Sequence, residues 1–151
     1  MASTRWFEDF VVGDVAEFGD HAVTEAEIIG FAREYDPQPF HTDPEAARTS
    51  IFGGLIASGW NTAAIMMRQL VDHYVSAESS LGSPGVDELR WTQPVRPGDR
   101  LRVRVTVVET VKSRSKPDRG VVRGLTEVLN QRGEVVMSMQ GMTMHRVRPK
   151  G

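Results

Sequence analysis

Apolar residues recur along the chain with two different periods. After Thr24, the residues Ile28, Ile29, Phe31, Ala32 and Tyr35 fall at helical spacing. Thr24 followed by Glu25 and Glu27 reads as an N-cap with acids in the first turn, where they complement the helix dipole. This helix is predicted to stop near Asp36, because Pro37 and Pro39 remove backbone donors and restrict the residues before them. Asp36-Pro37-Gln38-Pro39-Phe40-His41 is accordingly predicted as an irregular loop. Thr42 to Arg48 reads as a capped helical turn, and Phe52-Gly53-Gly54-Leu55-Ile56-Ala57 as an apolar, glycine-punctuated loop. A second, longer helix starts at Ser58. Trp60, Ala63, Ala64, Met67, Leu70, Val71 and Tyr74 form its stripe, which Ile65 and Met66 extend almost all round, so the helix is predicted to be buried.

Elsewhere the period is two. Val15 to Phe18, the Gly19-Asp20 turn and His21 to Val23 predict a short strand or hairpin. From Val86 onward strands dominate: Leu101, Val103, Val105 and Val107 alternate with Arg102, Arg104, Thr106 and Val108. Val121 to Leu129 and Val135 to Met144 flank Asn130-Gln131-Arg132-Gly133, an antiparallel hairpin signal. A buried helix followed by several long strands predicts an α+β fold whose antiparallel sheet wraps around the helix. No repeat or linker divides the chain, so one domain over residues 1–151 is expected.

Composition narrows the chemistry. A chain of 151 residues buries roughly 70% of its unfolded surface and needs no disulfide or metal staple. The absence of Cys excludes a thiolate nucleophile, a redox pair and thiolate-held metals. The N-terminus shows no apolar leader, and no apolar run reaches the roughly 18 residues of a membrane span, so a cytoplasmic protein without membrane contact is expected. The net charge of -2 is unevenly spread: residues 1–89 hold 4 Lys/Arg and 15 Asp/Glu, whereas residues 90–123 hold 10 and 3. That basic segment is either a solvated strand face or a patch for phosphates.

Among the four histidines, His21, His73 and His145 sit in or beside regular elements and read as structural or surface residues. His41 differs, standing five residues after Asp36 in a proline-held segment, where carboxylate and imidazole can share a water and exchange protons. Cap and turn roles for the two residues remain the alternative. His41, Asp43 and Glu45 lack the helical pairing of a strong metal site, so no metal is expected. The glycines match neither phosphate-binding spacing, and Ser58 reads as a cap rather than a nucleophile. Gly59, in the first helical turn, offers either a free N–H for an oxygen gaining negative charge or close passage of the chain.

Tyr35-Asp36-Pro37-Gln38-Pro39-Phe40-His41 together with Gly53-Gly54-Leu55-Ile56-Ala57-Ser58-Gly59 resembles the hydratase motif of the MaoC-like dehydratases, which include (R)-specific enoyl-CoA hydratases. The helix after Thr24, the helix after Gly59 and the strand entry Val95-Arg96-Pro97-Gly98-Asp99 extend the resemblance over most of the chain. It implies a hot-dog fold, an antiparallel sheet wrapped around a long central helix, and a homodimer or higher homo-oligomer. It further implies that Asp36 and His41 form a catalytic pair adding water to C3 of a trans-2-enoyl-CoA to give an (R)-3-hydroxyacyl-CoA, or the reverse, with Gly59 as oxyanion donor. Coenzyme A would enter as part of the substrate, with no separate cofactor and no nucleic-acid partner.

Two positions depart from the family pattern: Gln38 stands where Asn is usual, and Ser58 where His is common before the glycine. Both sit beside the chemistry and are read with Phe40 and Trp60 as substrate-binding, while Phe52 and Met67 are further candidates for an acyl tunnel. Arg90, Arg96, Arg100, Arg102, Arg104, Lys112, Arg114, Lys116 and Arg119 are candidates for the nucleotide phosphates. An acyl-CoA thioesterase and a non-catalytic acyl-CoA-binding module are the rival readings on the same scaffold.

Overall fold

One antiparallel sheet organises the computed structural model, which describes residues 4–151, with Met1 to Ser3 outside the described residues. Its strands are β1 (Val15–Ala22), β2 (Gly85–Trp91), β3 (Arg100–Lys112), β4 (Arg119–Leu129) and β5 (Val135–Arg146), in the order β1-β3-β4-β5-β2. The helices are α1 (Glu25–Tyr35), α2 (Pro39–Thr42), α3 (Pro44–Arg48) and α4 (Gly59–His73). α4 lies across the sheet and touches β1, β3 and β5, giving the expected α+β arrangement of a sheet around a central helix.

The strand pattern translates directly into packing. Leu101, Val103, Val105 and Val107 of β3 are buried, and the alternation ends at the bulge between Val107 and Glu109. Leu101, Val103 and Val105 meet Ile65, Met66 and Leu70 of α4 and Val128, Val136 and Met137 of β4 and β5 in one core, whereas Val107 packs with Phe10 and Val122 in a second cluster. The β4–β5 turn is held by Asn130, whose Oδ1 accepts from the Arg132 and Glu134 N–H groups at 3.0 Å each, while Gly133 takes φ 76°. Thr24 caps α1 as predicted, its hydroxyl accepting from the Glu27 N–H at 3.1 Å.

Two expectations are corrected. The segment after Asp36 is not wholly irregular: Pro39 occupies the first position of α2, where its missing N–H costs nothing, and His41 lies on that helical turn. α4 is buried on one face only. Asn61, Thr62, Ile65, Met66, Gln69 and Leu70 point inward, whereas Trp60, Met67 and Val71 are 58%, 47% and 53% exposed. With apolar residues nearly all round, hydrophobicity could not choose the face. Of the inward polar side chains, Gln69 donates through Nε2 to the Leu101 carbonyl at 3.3 Å, whereas its Oε1 and the Asn61 Nδ2 are buried without a partner among the described residues.

Candidate active site

Asp36 ends α1 and His41 sits one short helical turn later, so the Pro-x-Pro segment folds the imidazole back towards the carboxylate. His41 is 5% exposed. Its Nδ1 lies 2.7 Å from the Ile56 carbonyl, which can only accept, so Nδ1 carries the proton. Nε2 then faces Asp36 Oδ2 at 3.4 Å, and the two atoms attract only when a proton or a water O–H lies between them. Gln38 Nε2 donates to Asp36 Oδ1 and the Ser58 hydroxyl donates to Oδ2, both at 2.7 Å. Burial raises the Asp36 pKa, but the Gln38 and Ser58 hydrogen bonds and the neighbouring His41 outweigh it and hold the carboxyl below its ordinary value.

Ser58 is also the N-cap of α4. Its Oγ accepts from the Trp60 N–H at 3.3 Å, and its carbonyl accepts from Asn61 and Thr62 at 2.9 and 3.2 Å. The Gly59 N–H meets no acceptor among the described residues and stands at the positive end of the helix. A Cβ at Gly59 would overlap the Trp91 indole, whose Nε1 donates to the Gly59 carbonyl at 2.8 Å. Glycine is therefore required here for close packing, and that packing leaves its amide open.

Asp36, His41 and Gly59 line one cavity of about 390 Å³, walled by Phe40, Phe52, Trp60 and Trp91. Phe40 and Trp60 thus line this cavity. Gln38 and Ser58 touch the Asp36 carboxylate instead of lining the cavity, and Met67 lines a second, apolar cavity of about 150 Å³ between α4 and the sheet. Sequence reasoning missed Trp91, Thr62 and Gln93, which also line the first cavity. Trp91 follows an arginine at the end of a strand pattern and precedes Pro94, which is at most a weak signal. Arg96 Nη2 donates to the Phe52 carbonyl at 2.6 Å and so secures the loop that carries one wall.

The basic segment is largely neutralised from within. Arg100 pairs with Asp20, Arg102 and Arg104 with Glu17, Arg104 also with Glu127, Arg119 with Asp118, and Arg123 with Asp87 and Glu109. The phosphate candidates without an acidic partner among the described residues are Arg90, Lys112, Arg114 and Lys116, together with Arg96, which holds the loop. His21 pairs with Glu27 at 2.9 Å, and His73 lies against Phe18. Among the described residues no group of three or more His, Cys, Asp or Glu could hold a metal ion, and no helix is long and apolar enough to cross a membrane.

Comparison with known proteins bears on the family and the fold. Residues 9–131 match the family model described as "MaoC like domain". The crystal structure of a MaoC-like dehydratase from Rhodospirillum rubrum is similar with a TM-score of 0.91 and 48% identity, covering 97% of this chain and 100% of that one. The unliganded R-hydratase PhaJ1 from Pseudomonas aeruginosa is similar with a TM-score of 0.73 and 27% identity, covering 97% and 92%. A protein called uncharacterized, YdeM of Bacillus subtilis, is 29% identical over 126 residues, 83% of this chain and 87% of that protein. The sheet-and-helix architecture is therefore the hot-dog fold.

Proposed function

Because the chain belongs to the MaoC-like dehydratase family, we propose that it is a single-domain hydro-lyase that hydrates trans-2-enoyl-CoA thioesters to (R)-3-hydroxyacyl-CoA, or catalyses the reverse dehydration. The observation that carries this reading is the convergence of the Asp36/His41 pair and the open Gly59 amide on one cavity. In the forward direction the water oxygen bonds to C3 and its proton passes to the pair. The C2–C3 π electrons move towards the thioester oxygen, where the Gly59 N–H stabilises the enolate-like charge. A proton from the pair then reaches C2, so that one water is added overall. Nδ1 of His41 is committed to Ile56, which leaves Nε2 and the Asp36 oxygens as the atoms that exchange protons. No separate cofactor takes part, and coenzyme A enters with the substrate.

A homodimer is the proposed assembly. β2 is a sheet edge that pairs only with β5 among the described residues, and the adjoining outer face of α4 exposes Trp60 and Met67. The test of the function follows the enoyl absorbance of a panel of trans-2-enoyl-CoA thioesters together with free thiol. Loss of absorbance without thiol supports hydration. Thiol release from saturated acyl-CoA supports the thioesterase reading, and tight binding without turnover supports the binding module.

A further inference from the structure

We propose that Ser58 is a positioning residue that ties the Asp36 carboxylate to the helix end presenting the Gly59 amide. The inference rests on the hydratase reading above and extends it to a position where this chain departs from the family's common histidine.

The hydroxyl has one proton and two lone pairs, and the structure assigns their use. The proton is donated to Asp36 Oδ2 at 2.7 Å, and a lone pair accepts the Trp60 N–H at 3.3 Å. Ser58 is fully buried, so water does not compete for either bond. Oδ2 is also the oxygen that faces His41 Nε2. One side chain therefore fixes the rotation of the carboxylate beside the imidazole and, through α4, its distance from Gly59.

The same residue selects the oxyanion donor. Ser58 Oγ takes the Trp60 N–H and the Ser58 carbonyl takes those of Asn61 and Thr62. Of the first-turn amides, only that of Gly59 is left open. A serine that served only as a cap would account for the Trp60 bond but not for the bond to Asp36, 22 residues away in sequence. Gln38 supports Oδ1 in the same way, but it is exposed and shares that bond with solvent.

The test compares wild type with Ser58→Gly, which keeps a competent helix start, and with Ser58→Thr, which restores the hydroxyl. Two readouts are taken: kcat and KM against pH on the fastest trans-2-enoyl-CoA of the panel, and the pH titration of the Asp36 carboxyl carbon by NMR in the free protein. Ser58→Gly is expected to lower kcat on the order of tenfold to a hundredfold with KM within about twofold. It is also expected to move both the acid limb and the Asp36 titration to higher pH, and Ser58→Thr to reverse these changes. An Asp36 titration unmoved in folded Ser58→Gly overturns the proposal, as does a loss of melting temperature with an unchanged pH profile. Absence of enoyl turnover by wild type across the panel would instead overturn the hydratase reading, and the NMR titration of Asp36 in wild type and Ser58→Gly would still decide the role of Ser58.

Discussion

His41 and His145 are buried to nearly the same degree, 5% and 2% exposed, yet they are built into opposite roles. His145 packs against the Phe10 ring at 4.4 Å, with Ser79 Oγ 3.4 Å from Nδ1 and Thr143 Oγ1 2.9 Å from Nε2. Its partners are neutral hydroxyls, and burial pushes its pKa down to about 4, which keeps the imidazole uncharged. His41 has a carbonyl behind it, a carboxylate in front and an open cavity beside it. Burial alone makes a histidine a piece of core. A facing carboxylate and room for substrate make it a candidate for proton transfer.

The contrast can be broken most sharply at His41. Replacing it with Gln should lower kcat by about a thousandfold while leaving the melting temperature nearly unchanged; a comparable loss in His145→Gln would dissolve the distinction. Gly59→Ala comes next, because the added Cβ must displace Trp91 and disturb the open amide. A fall in kcat of about a hundredfold is expected from steady-state kinetics.

His145→Gln should leave kcat/KM within about twofold and cost about 1–3 kcal/mol in urea unfolding, from lost packing and imperfectly paired hydroxyls. The smallest effect is on pH dependence. The native state resists protonation of His145 down to about pH 4, whereas the unfolded chain takes the proton near its ordinary value of 6.5. This contribution to stability is complete above that value and is lost as pH falls towards 4. The gap in unfolding midpoint between wild type and His145→Gln should therefore narrow between pH 7.5 and pH 5.

Local physics was legible in the sequence where neighbours along the chain decide the outcome. The Thr24 cap, the alternation of β3 and the pairing of Asp36 with His41 all depend on residues a few positions apart. What was hidden depends on contacts between distant segments. Ser58 and Trp91 lie 22 and 32 residues from the groups they hold, and neither position carries a local signal for that contact. The exposed face of α4 is hidden for a related reason, since a helix apolar almost all round gives no direction, and its inward Asn61, Thr62 and Gln69 look like surface residues. The arginines of β3 were candidates for phosphate contact until the fold set them beside Glu17, Asp20 and Glu127.

The central claim is that Asp36 and His41 together move protons to and from a substrate activated at Gly59. Its most direct test mixes wild type, Asp36→Asn and His41→Gln with trans-2-enoyl-CoA thioesters and follows the enoyl absorbance and free thiol in parallel. The account predicts loss of absorbance without thiol for wild type and about a thousandfold slower change for each variant. Thiol release by wild type, or undiminished hydration by either variant, would contradict it.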